Sequence, residues 1–498
     1  MSSIEILKKV RLGDGVAENE QAELENYFVA TEAWQMLLDG RVDIIYGAKG
    51  TGKSALYLLL MKRAAELARR DISVLAGEEV SADPVFKAVN DGVRLNESQF
   101  RDLWKVYILT LIGNDLVKKN LEKDLGFNAV INLLREEGYI PLDTLRKVFR
   151  NAFDRIIKGS LEIAEPATGN KYKITLGDTS TEEEAAGKIS VRDLLETIDK
   201  ALVEADMQIW ISFDRLDVAF TDPEIETNAL RALFRVYRDF AGFEGIKLKI
   251  FLRDDIWERI TKVAGFREQS HITRYYTIKW LPDAIRHLIL MRFYNNPAIE
   301  QFTSLSKSML QNDKVQESAF YSIFPDQVES GPKKSKTFDW ILKRVQDGKQ
   351  NIAPREVINL IRFAREQQIQ IEETGASGNS PSGCLLSPNA LVRALAEVSK
   401  SRIQTIWSEY PELRNLIEGF KGAKTEHNTE TISEIIKKTT SGGQPDELIA
   451  KLLEIGFIQE KKGGGFTTYW VPFIFRPFLS MSQGSAFNRE PGAEAEDD

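Results

Sequence analysis

Eight consecutive residues, Gly47-Ala48-Lys49-Gly50-Thr51-Gly52-Lys53-Ser54, are spaced to hold a phosphate chain. Glycine tolerates the tight turns that let successive backbone N–H groups converge on one anion, and the positive end of a helix starting here adds to the field. Lys53 is placed to neutralise β- and γ-phosphates, and the Ser54 hydroxyl to ligate Mg²⁺. Ala55 completes the expected backbone cradle. A strand before this pattern and a helix after it make a phosphate-binding loop, so ATP and Mg²⁺ are the expected cofactors.

Further charged positions extend that chemistry. Asp214 closes the apolar run Gln208 to Phe213, where a strand-end carboxylate would hold the water shell of Mg²⁺. A general base needs a carboxylate close by, but the next residue is Arg215, which accepts no proton. Asp217 is the nearest candidate base, its other reading being a helix N-cap. Slow hydrolysis, or a switch read out by binding, is therefore expected. Arg253, followed by Asp254 at the end of the run from Ile246, is a candidate γ-phosphate sensor or one half of a strand-end salt bridge. Arg355 follows Pro354 at the start of a helix and is a candidate lid sensor for the γ-phosphate, or a plain surface charge. Arg259, Arg267 and Arg274 are candidates for an arginine finger across a subunit boundary, or solvated arginines. The expected catalytic set is Lys53, Asp214, Asp217, Arg253 and Arg355.

These groups need a parallel sheet to position them. Val42 to Tyr46, broken only by Asp43, predicts the strand that feeds the loop, and Ala55 to Leu60 the helix that follows. Asp71 to Ala76 reads as a second strand, Ile246 to Asp255 as a fourth lying between the loop strand and the Asp214 strand, and Tyr275 to Trp280 as a fifth. Before the loop, apolar residues at helical spacing predict a helix over 20–38. Roughly 155 residues separate the loop from the strand that leads to Asp214, far beyond a minimal strand–helix–strand unit of about 30, so a helical subdomain is expected at 95–192, with the alternating run Tyr172 to Leu176 in a flexible loop or hairpin.

Past Pro282 the chain reads as a helical lid (282–374), then a Gly/Ser/Pro-rich linker (375–388), then a domain over 389–484. There, helices at Thr431 to Lys438 and Asp446 to Leu453, the turn 461–465 and a strand from Thr467 to Val471 predict a winged helix. Its candidate recognition helix is acidic at Asp446 and Glu447, so DNA phosphates would be met by Lys437, Lys438, Lys461 and Lys462. Residues 1–94 and 193–281 are expected to form the two halves of the ATPase core, and 485–498 an acidic disordered tail.

Composition narrows the alternatives. The 498 residues are 43% hydrophobic and 28% charged, with a net charge of −8, so any nucleic-acid contact must be local. One cysteine, Cys384, and three histidines leave little for zinc or disulfides. No run approaches the ~20 apolar residues of a membrane span, and the N-terminus lacks a basic-then-apolar leader, so a cytoplasmic protein is expected.

Loop, strand-end aspartate, sensor strand, lid and winged helix together resemble the AAA-like and signal-transducing (STAND) P-loop ATPases. Phe251-Leu252-Arg253-Asp254 is similar to the arginine-bearing sensor of the signal-transducing group, and Pro354-Arg355-Glu356 to the lid sensor of initiator-type ATPases such as the origin-recognition proteins. Ala17-Glu18 and Tyr27-Phe28-Val29 followed by the loop resemble a bacterial P-loop ATPase family often found beside phage-defence genes. That resemblance implies nucleotide-dependent homo-oligomers in antiphage defence with a separate effector protein; the alternative is a DNA-binding initiator or loader using the winged helix on duplex DNA. A third reading is a scaffold with permanently bound nucleotide.

Overall fold

Val42, Ile44, Ile45 and Tyr46 are all buried, the pattern of a strand covered on both faces, and they lie at the centre of an α/β unit in the computed structural model. The structure describes residues 2–77, 95–121, 125–141, 144–158, 173–175, 188–216, 222–262, 268–375, 383–440, 442, 444–463 and 466–487. The chain divides into two compact units, one of Thr31–Gly47 and Lys53–Ile278, the other of Met1–Ala30, Ala48–Gly52 and Lys279–Asp498.

In the first unit, β1 (Ile44–Gly47), β2 (Ile72–Ala76), β5 (Gln208–Phe213), β6 (Ile246–Arg253) and β7 (Tyr275–Thr277) form a wholly parallel sheet in the order β2-β5-β6-β1-β7. The short strands β3 (Lys173–Thr175) and β4 (Lys188–Ser190) pair separately in parallel. β6 lies between β1 and β5, the position expected from the sequence, and register sets Gly47 beside Arg253.

Helix Glu97–Lys118, started by an Asn96/Gln99 capping box, does not begin a separate body. Trp104 donates its Nε1–H to the Ala229 carbonyl at 2.8 Å and meets Phe213 of β5 edge-on, while the Tyr107 hydroxyl reaches the Gly77 carbonyl at 3.0 Å. One apolar core runs from Ile44 through this helix, Phe127 and Phe153 to Ile272. The helical subdomain expected at 95–192 is thus corrected at its start: a helix apolar on most sides is built to be covered, and here it shares the core of the sheet.

The second unit begins with helix Ser3–Lys9 and has its own core, from Ile6 to Leu479. The single helix expected over 20–38 is instead one short 3₁₀ turn, Leu24–Tyr27, and, after an extended stretch, helix Glu32–Leu38 in the first unit; another 3₁₀ turn, Ala17–Asn19, precedes them. Tertiary contacts override local periodicity: Val29 packs with Leu288 and Ile358, and Tyr27 lies under Arg292 at 4.3 Å. Arg292 forms a two-pronged ion pair with Glu20, at 2.8 and 2.9 Å, both side chains buried. Burial and the Glu20 charge push the Tyr27 hydroxyl up to about 12. Residues 1–30 therefore belong with the helices that follow residue 279, not with the loop half of the core to which the sequence reading assigned them.

Helices Pro354–Glu373 and Pro388–Glu409 pack along one another. The linker expected at 375–388 is docked where it is described: Leu385 and Leu386 are buried and both donate to the Ile323 carbonyl. Beyond it come β8 (Lys424–His427), helices Thr429–Thr439 and Pro445–Glu454, and β9 (Gln459–Gly463), β10 (Phe466–Trp470) and β11 (Ser482–Ser485). The sheet order is β11-β8-β10-β9, with β10 antiparallel to both neighbours. The disordered tail expected over 485–498 is corrected at its start, where Ser485 ends β11 and Ala486 donates to the Glu426 carbonyl; 488–498 lie outside the described residues. Among the described residues, no helix is long and apolar enough to cross a membrane.

Candidate nucleotide site

β1 ends at Gly47 and helix Lys53–Lys62 begins six residues later, so the loop has the strand and helix its chemistry requires. In the unit carrying these flanks, Lys53 donates from Nζ to the Gly47 carbonyl at 2.9 Å, folding the ammonium back over the loop. Ser54 sits in the first turn of the helix, and buried Asp214 follows β5 directly. Arg215, with φ +57°, takes a left-handed conformation uncommon for a side-chain-bearing residue and turns the chain sharply after that carboxylate.

The loop residues fit phosphate and Mg²⁺. Gly50 and Gly52 have φ of +82° and +99°, and a Cβ on Gly52 would meet no atom within 4 Å, so the bend needs glycine and leaves open space. A hydroxyl and a carboxylate are hard oxygen donors of the kind Mg²⁺ takes while keeping several of its waters. Among the described residues no group of three or more His, Cys, Asp or Glu could hold a metal ion by itself.

Arg253 lies beside the loop strand as expected, and its guanidinium grips Asp255 at 3.0 and 2.7 Å, the salt-bridge alternative of its two readings. Arg259 pairs with Glu226. Arg274 precedes β7 and binds Asp43 Oδ2 at 2.6 Å, at the strand ends opposite the loop; a finger role does not suit a side chain spent in this way. Asp217 and Arg267 lie outside the described residues.

In the other unit, the loop tip is held by Trp280 and Arg355. Trp280 donates Nε1–H to the Thr51 carbonyl at 2.9 Å, and the Arg355 backbone N–H to the Gly50 carbonyl at 3.3 Å. The Arg355 Nε reaches the Gly15 carbonyl at 3.3 Å. Its Cβ would lie 3.0 Å from a Cβ placed on Gly50, a second reason for glycine there. Lys49 forms an ion pair with Glu409, the last residue of helix Pro388–Glu409. Lys49 was expected from sequence as part of the phosphate loop, but its partner Glu409 was not singled out, and no local signal joins residues 360 positions apart.

A further group missed from sequence is Asp43, read there only as a break in an apolar strand. Its carboxylate accepts from Lys249 Nζ at 2.8 Å, Arg274 Nε at 2.6 Å and the Tyr237 hydroxyl at 3.2 Å. Burial opposes the charge, but Lys249 and Arg274 outweigh it and hold the carboxyl below its ordinary range. Lys249, fully buried, also donates to the Val42 carbonyl and lies 4.3 Å from the Trp210 ring centroid. The network underlies an open cavity of about 540 Å³ lined by Arg70, Asp206, Trp210, Lys247, Lys249 and Arg274 among others.

No protein-family model matches the chain, and no curated protein does. Similar solved structures include the ORC2 protein of Aeropyrum pernix in ADPNP–ADP complexes, 14% identical with a TM-score of 0.40 over 93% of this chain and 92% of that one. The ADP form of the same protein is 13% identical, with a TM-score of 0.32 over 96% and 95%. Cdc6p from Pyrobaculum aerophilum is 10% identical, with a TM-score of 0.29 over 96% and 97%.

Proposed function

We propose that the chain is an ATP- and Mg²⁺-binding P-loop ATPase that turns over slowly and acts as a nucleotide-controlled oligomerising switch. The observation that carries this is the loop 47–54, set between a buried parallel strand and a helix, with Arg253 in register beside Gly47. When bound, Mg²⁺ would screen the phosphates and orient the attacking water. Ser54 and Asp214 would hold it, Lys53 would neutralise the phosphate chain, and Arg355, whose N–H meets the loop at Gly50, would pass loop state to the lid. With arginine at 215, no carboxylate directly follows Asp214 to take a proton, which is why turnover is slow. A separate effector protein would supply the output, in the antiphage setting that the sequence resemblance implies.

Light scattering on the full chain, without nucleotide, with ADP and with ATP plus Mg²⁺, tests this reading. A rise in mass with ATP alone supports the switch; unchanged mass in every condition counts against it. Asp214→Asn is expected to keep ATP affinity within about threefold in EDTA and to lose the further gain that Mg²⁺ gives the native chain. Titration of a fluorescent ATP analogue with and without Mg²⁺ checks this.

A second reading, a DNA-binding initiator or loader, is favoured by one feature. Helices Thr429–Thr439 and Pro445–Glu454 followed by the β9–β10 hairpin follow the order of a winged helix, and Lys462 on that hairpin is well exposed. Asp446 and Glu447 in the first turn of the second helix leave phosphate contact to the hairpin. A short DNA duplex added to the light-scattering series decides between the two: mass that changes only with DNA present favours the initiator.

A further inference from the structure

Helix Pro388–Glu409 grips the loop tip and the lid through two ion pairs spaced two turns apart. Arg402 and Glu409, at i and i+7, lie on one face. Arg402 Nη1 stands 3.8 Å from Glu356, the neighbour of Arg355, and Glu409 pairs with Lys49. The Arg355 N–H bonded to the Gly50 carbonyl closes the triangle between loop, lid helix and long helix. Glu356 is 6% exposed and its Oε2 has no hydrogen-bond partner, so the nearby Arg402 charge supports it.

Glu409 is poorly placed on its own account. A carboxylate at a helix C-terminus faces the negative end of the dipole, so it gains from an outside cation. Lys49, the one charged residue of the 48–52 tip, supplies it. Lys49 itself belongs to the glycine-rich loop whose backbone amides would receive phosphate. Phosphate on those amides and the Glu409 carboxylate would draw on one positive charge.

The residues around Glu409 are tied to the C-terminal elements. Trp407 lies under Arg414 at 4.8 Å and edge-on to Phe478 at 5.8 Å. Lys451, on helix Pro445–Glu454, pairs with Glu412 and lies 5.8 Å from the Tyr410 ring.

We propose that Glu409 competes with nucleotide phosphate for Lys49, so that loop occupancy is read out at the end of helix Pro388–Glu409 and passed to the C-terminal helices. The inference rests on the nucleotide-binding reading and adds to it a regulatory residue outside the loop. By linkage, whatever factor the pair costs in nucleotide affinity, nucleotide costs the pair.

The test titrates a fluorescent ATP analogue into the full-length native chain and the Glu409→Gln, Lys49→Gln and double variants, each first shown to melt as the native chain does. Glu409→Gln is expected to tighten binding about threefold, the size of a part-exposed ion pair. In the Lys49→Gln background the same change is expected to do nothing. Hydrogen exchange of residues 404–409 should rise on ATP binding in the native chain and be already high in Glu409→Gln. Equal affinity of Glu409→Gln and the native chain, or an equal gain without Lys49, overturns the competition. A native chain that binds no ATP overturns the nucleotide reading itself and the competition with it.

Discussion

Lys53→Ala is expected to weaken ATP binding about a hundredfold or more and to leave the fold standing. The Lys53 ammonium donates to the Gly47 carbonyl at the start of a helix, where it would meet the phosphates. Removing one partner of a desolvated charge pair costs about 2–5 kcal/mol, and each 1.4 kcal/mol is about tenfold in Kd. The bond to the Gly47 carbonyl that the folded chain loses is worth about 1 kcal/mol, and alanine at this helix start is a good helix former. Calorimetric titration alongside a thermal melt separates the two effects. Retained affinity would remove the nucleotide assignment; lost affinity with a collapsed melt would show only that Lys53 is structural.

The loop was legible because its chemistry is local: glycines, lysine and serine must follow one another for the backbone to wrap a phosphate. The five strands and the central place of β6 were legible for a similar reason, since buried parallel strands are apolar on both faces and ligand groups collect at their C-terminal ends. What escaped is non-local. The periodicity of 20–38 is genuine, but Tyr27 and Val29 find better partners in Arg292, Leu288 and Ile358 than a continuous helix would give them. Trp104 and Tyr107 advertised a helix, yet nothing in their spacing says that the surface they bury is the sheet itself. The helix start at Arg355 was legible because proline marked it, whereas Lys49 was read only as part of the loop, since its partner lies at the far end of a helix in another part of the chain. Arg274 shows the converse: an arginine before a strand looks available until the carboxylate it serves, Asp43, is seen to be buried.

Asp43→Ala is expected to cost about 3–5 kcal/mol of stability, the price of leaving Lys249 buried without its anion. In a unit of this size each kcal/mol moves Tm by about 2–4 °C, so a fall of roughly 10 °C is expected. Lys249→Met is milder, because Asp43 keeps the part-exposed Arg274 and the Tyr237 hydroxyl. The double variant Asp43→Ala/Lys249→Met should be more stable than Asp43→Ala alone, since removing both charges leaves neither unpaired. The sign with pH follows from the depressed carboxyl of Asp43. Its contribution is present above the unfolded value of about 4 and is lost as pH falls through the lower folded value, so the gap between native and Asp43→Asn stabilities should narrow on acidification below pH ~4. Four residue steps along the strand, roughly 13 Å, separate Asp43 from Gly47, so ATP affinity measured well below the melt should match the native chain. A large loss of affinity in folded Asp43→Ala would instead mean that the two ends of β1 are coupled. An unchanged melt would mean that water reaches Lys249 and supports its charge without Asp43.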